Sequence, residues 1–169
     1  MGSINKIGIV IFALLLFSCY SQQIKTPPDM IIGYGLDTPG FDTIIKEIKP
    51  APFSWAYSTI TGITHMIADS FHPLDNSNIL LKIGKTNKVK IYISYPSDYY
   101  IVRYWPKSCI GDPNAYEQYF QTIDINNDII ILPNEESGYI FEVKAVWESV
   151  NGIKGTKGYA NYAFYYSLE

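Results

Sequence analysis

Two stretches decide the fold: Ser137-Gly-Tyr-Ile-Phe-Glu-Val-Lys-Ala-Val-Trp147 and Tyr159-Ala-Asn-Tyr-Ala-Phe-Tyr-Tyr166. Both runs alternate large apolar side chains with polar or small ones, which is typical of strands with one face in a core. The residues between them, 148–158, are rich in Gly and Lys and predict a hairpin loop. We therefore expect these two runs to form the closing antiparallel pair of an all-β fold.

Short apolar or alternating runs separated by Gly, Pro, Asn and Asp continue this pattern over the chain from about residue 29. Many short strands with turn residues between them indicate a β-sandwich or a barrel. The predicted strands are 30–34, 43–48, 54–58, 79–83, 89–95, 99–105, 120–125, 129–132, 139–147 and 159–166. Tyr95-Pro-Ser-Asp98 joins two of them at hairpin spacing, and Asn126-Asn-Asp128 joins another pair.

Three segments have some helical character. Residues 43–49 are short and flanked by Gly40 and Pro50, so a strand is favoured there. Residues 64–71 are long enough for one or two helical turns. Residues 113–120 follow Asp112, a suitable N-cap, and begin with proline at the first helical position, which predicts a short connecting helix.

Taken together, these features predict an immunoglobulin-like antiparallel β-sandwich with one or two short connecting helices. Tyr139 lies close to where a tyrosine corner is found in such sandwiches. An antibody-type domain is excluded, because the chain has no Cys…Trp…Cys framework.

Residues 1–18 have the pattern of a cleaved signal peptide rather than of a folded element. Lys6 precedes an uncharged apolar run from Ile7 to Phe17, which is too short to span a bilayer. Leu16-Phe17-Ser18-Cys19 then resembles the lipobox of bacterial lipoproteins, from which it departs only at Phe17. The resemblance implies a diacylglyceryl group on the Cys19 thiol, cleavage before it, and an anchor on the extracytoplasmic side of the cell membrane.

The expected organisation is thus a signal peptide over residues 1–18, a tether over 19–28, and a β-sandwich domain over 29–169. The tether is polar and ends in a double proline, a composition that cannot bury itself. The chain has two cysteines, so a lipidated Cys19 leaves Cys109 without an intramolecular partner. A Cys19–Cys109 disulfide in a secreted protein without lipid is the alternative.

Four further motifs carry a second resemblance: Phe53-Ser-Trp55, Asp69-Ser-Phe-His-Pro73, the run from Gly138 to Trp147, and Tyr162-Ala-Phe164. They resemble uncharacterised immunoglobulin-like extracytoplasmic domains of low-GC Gram-positive bacteria over about two-thirds of the chain. Those domains often place a cysteine pair near the first Trp, and this sequence does not. The resemblance implies a fold and a location, and it implies no activity.

Charge and motif content limit the possible functions. A net charge of −3 without a basic patch excludes a typical nucleic-acid binder. Neither a Gly-x-Ser-x-Gly elbow nor a phosphate loop is present, and we expect no catalytic residues, no metal and no cofactor. The alternative is a small envelope hydrolase or metal-dependent enzyme. On a helix, His65, Asp69 and His72 fall on one face, and two imidazoles with a carboxylate can bind zinc.

The three tryptophans and fifteen tyrosines admit two interpretations. Aromatic residues are common strand formers, so a sandwich core is favoured. The alternative is a stacking platform for sugars, supported by the doublets Tyr99-Tyr100 and Tyr165-Tyr166. For such a site we expect Trp55, Tyr57 and Asp69 to contact the ligand, an envelope glycan or protein. The sequence thus favours a membrane-anchored, non-catalytic binding module.

Replacing Cys19 tests the anchor. We expect Cys19→Ser to release the protein from the membrane in soluble form, because no thiol remains to carry the lipid. Fractionation of cells into membrane and soluble parts measures this, with Cys109→Ser as the control that stays on the membrane. Retention of Cys19→Ser on membranes would contradict the lipid anchor.

Overall fold

The structure is a computed structural model, and it describes residues 24–34, 44–59, 62–77, 80–83, 87–125, 128–133, 138–148 and 158–167. The signal peptide, Cys19 and the first part of the tether lie outside the described residues. The same holds for residues 149–157, most of the connection between the two strands that close the chain.

The described elements are short strands with one helical connection. They are β1 (Met30–Tyr34), β2 (Ile44–Ile48), β3 (Phe53–Thr59), β4 (Gly62–Ala68), β5 (Leu81–Ile83), β6 (Lys88–Ile93), β7 (Tyr99–Pro106), α1 (Ala115–Gln118), β8 (Gln121–Ile123), β9 (Ile129–Ile131), β10 (Tyr139–Trp147) and β11 (Gly158–Tyr166). A single 3₁₀ turn, Lys107–Cys109, precedes α1.

The strands form two packed sheets, which confirms the all-β sandwich. Sheet A has the order β2-β1-β6-β9. Sheet B has the order β4-β3-β11-β10-β7-β8, and β5 adds a parallel pairing to the end of β11. All other pairings between described strands are antiparallel.

β10 and β11 are paired over nine residues each, as predicted, with Phe141 directly opposite Phe164. Alternate side chains of both strands point between the sheets, where Phe141, Trp147 and Tyr162 are buried. Sheet A covers them with Met30, Ile32, Val89, Ile91 and Ile130. The alternation seen in the sequence is therefore the inward and outward alternation of sheet B.

A second, smaller apolar cluster, called the outer cluster below, lies on the outer face of sheet B. It contains Leu74, Trp105, Ala115, Ile140 and Tyr165. The chain segments around Leu74 and α1 cover this end of the sheet, so that β10 is buried on both faces there. The predicted short connecting helix is confirmed as α1, but it covers only Ala115–Gln118, and its N-cap is Asn114 rather than the predicted Asp112.

Two expectations about local structure are wrong. Residues 64–71 do not form helical turns, because Gly62–Ala68 is strand β4, the end strand of sheet B. The turns predicted at 95–98 and 126–128 do not close hairpins. Each leads from one sheet to the other, since β6 and β9 belong to sheet A while β7 and β8 belong to sheet B.

The immunoglobulin-like topology stays a prediction. The pairing of β6 with β9 matches the B–E neighbours of that fold, and the order β7-β10-β11 matches its C–F–G neighbours. The N-terminal strands β1 to β5 extend both sheets beyond that core.

The chain packs against the sandwich before the predicted domain start at residue 29. The indole Nε1 of Trp55 donates a hydrogen bond to the carbonyl of Ile24 at 2.8 Å. The hydroxyl of Tyr162 donates to the carbonyl of Pro28 at 2.6 Å, and Pro27 is buried. The last residues assigned to the tether therefore belong to the folded unit.

A substitution at Gly138, at the entrance to β10, tests the close packing of this residue against the end of β11. Its φ is +79°, and a Cβ there would lie 2.5 Å from Tyr165 Oη and 3.1 Å from the carbonyl of Tyr166. We expect Gly138→Ala to lower the free energy of unfolding by about 2–4 kcal/mol, from backbone strain and crowding together.

Gly111→Ala is the matched control, because Gly111 has a similar φ of +77° and open space around it. Strain alone should cost about 1–2 kcal/mol there. Equal losses in both variants, measured by urea unfolding, would contradict the crowding at Gly138.

Candidate functional site

A concavity lies where the chain leaves sheet B for sheet A. β8 pairs with β7 only from Val102 to Tyr104. The chain then diverges toward Asp128, whose carbonyl accepts a hydrogen bond from the Ile91 N–H of sheet A at 2.8 Å. The wedge left between β7 and this crossover is a cleft of about 620 Å³.

Tyrosines and aspartates supply the functional groups of the cleft. Its walls are Tyr99, Tyr100, Ile101 and Val102 from β7, and Thr122, Ile123, Asp124, Ile125 and Asp128 from the opposite side. Tyr99 is 45% exposed, while Tyr100 packs partly against the core. The cleft is thus lined by one exposed tyrosine, whose hydroxyl donates a hydrogen bond to Glu148 Oε1 at 3.5 Å, and by two carboxylates.

The charges in the cleft favour ligands that donate hydrogen bonds to the protein. No Lys, Arg or His is among the residues lining it. Burial, together with the negative charge of Asp128, raises the pKa of the Tyr100 hydroxyl. A hydrogen bond with Ser97 opposes this shift, and the hydroxyl remains protonated at physiological pH.

Such an arrangement can bind a neutral, hydroxyl-rich molecule. Carboxylates accept hydrogen bonds from hydroxyl groups, and bonds to a charged partner are stronger than neutral ones. A tyrosine ring supplies an apolar face for the C–H surface of a sugar and keeps a polar tip in water. In size, the cleft is within the range of typical ligand sites.

Trp55, Tyr57 and Asp69 lie elsewhere in the structure. Trp55 is fully buried and contacts Trp147 edge to face, with ring centroids 4.9 Å apart. Tyr57 packs partly against the same core, and Asp69 is exposed just beyond β4. The structure does not bring these three side chains together on an exposed surface.

The other aromatic residues largely belong to the interior. Trp105 is fully buried and Trp147 is 1% exposed, so the core interpretation of the tryptophans is confirmed. Of the two tyrosine doublets expected on the surface, Tyr165-Tyr166 is buried, whereas Tyr99 is exposed and lines the cleft.

The helical face proposed for His65, Asp69 and His72 does not exist, because His65 lies on strand β4. His65 is exposed, whereas the His72 ring stacks on Tyr116 at 3.8 Å and meets Trp105 edge to face at 5.1 Å. Over the described ranges, no group of three or more His, Cys, Asp or Glu side chains is placed to hold a metal. His72 is a packing residue of the outer cluster.

One buried carboxyl lies outside the cleft. Glu142 of β10 is 8% exposed, and its Oε1 accepts a hydrogen bond from Asn161 Nδ2 at 2.9 Å. Burial raises the pKa of Glu142, and the positive charge of Arg103 on the neighbouring strand opposes this shift. Neither Glu142 nor Asn161 lines the cleft, so we assign this pair to the sheet rather than to a site.

Asp124 and Asp128 were not identified from the sequence, because they become part of a site only through the change of sheet after β8. The available signal was the turn Asn126-Asn-Asp128, and Asp128 does adopt the left-handed backbone expected there, with φ of 62°. Cys109 is a half-exposed free cysteine next to the outer cluster, and Cys19 lies outside the described residues.

Comparison with protein-family models, with curated proteins and with solved structures finds no match for this chain. Within the described part of the chain, no helix is long and apolar enough to cross a membrane.

The packing of His72 predicts a pH effect on stability. Burial lowers the pKa of His72 below its ordinary value of 6.5, and its Nδ1 accepts a hydrogen bond from the Leu74 N–H at 3.3 Å. The unfolded chain therefore binds a proton at His72 more readily than the folded chain does. As a result, the free energy of unfolding decreases as the pH falls below about 6.5.

We expect His72→Phe, which keeps an aromatic ring, to show a smaller loss of unfolding free energy between pH 7 and pH 5 than the wild type. Urea unfolding at both pH values measures this difference. His65→Phe, at an exposed position, is the control and should keep the wild-type dependence. An unchanged dependence in His72→Phe would contradict the assignment.

Proposed function

We propose that this chain is a lipoprotein anchored through Cys19 to the outer side of the cell membrane, where it binds a cell-envelope glycan without catalysing a reaction. The observation that supports the binding role most directly is the cleft between β7 and the β8–β9 crossover, with its tyrosines and two aspartates. The lipobox-like run before Cys19 supports the location.

The folded unit begins close to Cys19, which limits how far a lipid anchor could hold it from the membrane. Ile24 is docked on Trp55, so only residues 20–23 separate the fold from Cys19. An extended chain covers at most about 3.6 Å per residue, so the Cys19 to Ile24 segment reaches roughly 18 Å. A lipidated Cys19 would therefore hold this end of the sandwich close to the bilayer, and two acyl chains would make the attachment stable.

The chemistry of the cleft supports a glycan in preference to a nucleic acid or an anionic lipid. Asp124 and Asp128 would repel phosphate groups, and no cation lines the cleft to offset them. Hydroxyl groups of a sugar can donate to both carboxylates while one sugar face covers the Tyr99 ring. The proposed mode of binding is therefore stacking combined with charge-assisted hydrogen bonds.

Calorimetric titration of the full-length wild-type protein with soluble fragments of cell-wall glycan tests this proposal. We expect Tyr99→Ala to weaken binding roughly tenfold, and Asp124→Asn about 10- to 100-fold through loss of hydrogen bonds to a charge. Tyr92→Ala is the matched control, because Tyr92 is 58% exposed on the outer face of sheet A.

Unchanged binding in both cleft variants, or an equal loss in Tyr92→Ala, would contradict the site. Wild-type protein that retains an envelope protein and no glycan fragment would contradict the ligand class.

A further inference from the structure

Strand β4 differs from the other edge strands of the two sheets. β8 and β9 are three residues long, and β2 carries the exposed charges of Lys46 and Glu47. Short length and charge are the usual devices that prevent a sheet edge from pairing with another chain. β4 has seven residues, Gly62–Ala68, and none of them is Lys, Arg, Asp, Glu or Pro.

The outer face of β4 is also unusually apolar for a surface. Ile63 is 53% exposed and Ile67 is 72% exposed. Across the pairing with β3, these two isoleucines lie opposite Ser58 and Ser54, and no described residue covers them. Exposed β-branched residues on a long uncharged edge strand mark a surface for strand addition.

The order of residues in β4 indicates what is added. Read outward from His65, the strand has Thr64 and Met66, then Ile63 and Ile67, then Gly62 and Ala68. A second β4 that runs antiparallel about a two-fold axis at His65 would place each Ile63 directly opposite an Ile67. Directly opposite side chains on one face lie about 4.5–5.5 Å apart at Cβ, within contact distance.

The remaining pairs of this register are compatible as well. Gly62 would face Ala68, two small residues, and Thr64 would face Met66. No pair of Lys, Arg, Asp or Glu side chains would be opposed, because β4 contains none of these residues. The symmetric pairing is isologous, so it closes after two copies and leaves no further β4 edge for a third.

We propose that β4 is a self-association surface, on which a second copy of this chain pairs antiparallel about a two-fold axis through His65. The pairing joins two B sheets edge to edge. This pairing does not depend on a ligand in the cleft, because the cleft lies at β7 and β8, near the opposite edge of sheet B.

Cysteine cross-linking tests the register in the full-length chain carrying Cys19→Ser and Cys109→Ser, which removes both native thiols. We expect His65→Cys to form a covalent dimer under mild oxidation, because the two Cα atoms face each other within disulfide reach. Ile63→Cys is the matched control. Its two copies would be offset by four residues, about 13 Å, which is too far for a disulfide.

The double variant Ile63→Cys with Ile67→Cys should restore the covalent dimer, since these positions face each other in the proposed register. Failure of His65→Cys to cross-link, or equal cross-linking of Ile63→Cys, would overturn the proposal.

Light scattering of the same Cys19→Ser, Cys109→Ser chain without further changes gives an independent measurement. We expect this chain to be dimeric, and Ile67→Lys to make it monomeric by opposing a charge to the partner's Ile63. Near-ultraviolet circular dichroism verifies that the variant keeps its fold. A chain that is monomeric without Ile67→Lys, or that remains dimeric with it, would overturn the proposal.

Discussion

The contact of Phe141 with Phe164 across the β10–β11 pair is the interaction on which the rest of the sandwich depends. Their rings are stacked 5.0 Å apart with planes at 8°, and Phe141 also stacks on Tyr104 of β7 at 5.4 Å. Such aromatic pairs contribute about 0.5–1.5 kcal/mol beyond their burial. Because side chains alternate along a strand, a slip of one residue would turn this row to the wrong face.

The outer cluster fixes the same β10–β11 register from the other face of sheet B. Ile140 and Tyr165 are neighbours across the pair on the outer face, where Trp105 and α1 cover them. Trp105 Nε1 donates to the carbonyl of Ala115 at 3.0 Å, which holds the helical connection to the sheet. Sheet B is thus fixed from both faces along its centre, while its two margins carry the surfaces proposed for function.

Where hydrophobic alternation matches burial, the sequence was sufficient to predict the strands. β1 and β10 were predicted with the observed ends, because their inward residues are large and their ends carry turn residues. β4 was not recognised, since its isoleucines point outward and its inward positions are Thr64 and Met66. The changes of sheet after β6 and β8 were missed because a turn sequence sets local geometry and not the sheet that the next strand joins.

The candidate site was predictable only in part, for the same reason. Tyr99 belongs to an aromatic doublet that the sequence marks as a possible binding surface, and the structure exposes it. The similar doublet Tyr165-Tyr166 is buried, because Tyr165 belongs to the outer cluster and Tyr166 to the core between the sheets. Asp124 and Asp128 meet β7 through tertiary structure alone, and no local pattern in the sequence indicates that contact.

The three proposed surfaces are compatible with one another. The anchor would leave from Ile24, the cleft lies beside β7, and β4 is the opposite margin of sheet B. A dimer through β4 would place two clefts far apart, and linked sites gain avidity on a ligand with repeated units. Anchoring both copies to one membrane would favour their pairing by the same principle.

Glycan binding in the cleft is the central claim, and the amide shifts of isotope-labelled protein titrated with cell-wall glycan fragments test it most directly. We expect saturable shifts at residues 99–102, 122–125 and 128, with the outer face of sheet A unaffected. Saturable shifts confined to other surfaces, or no shifts at all, would contradict the account.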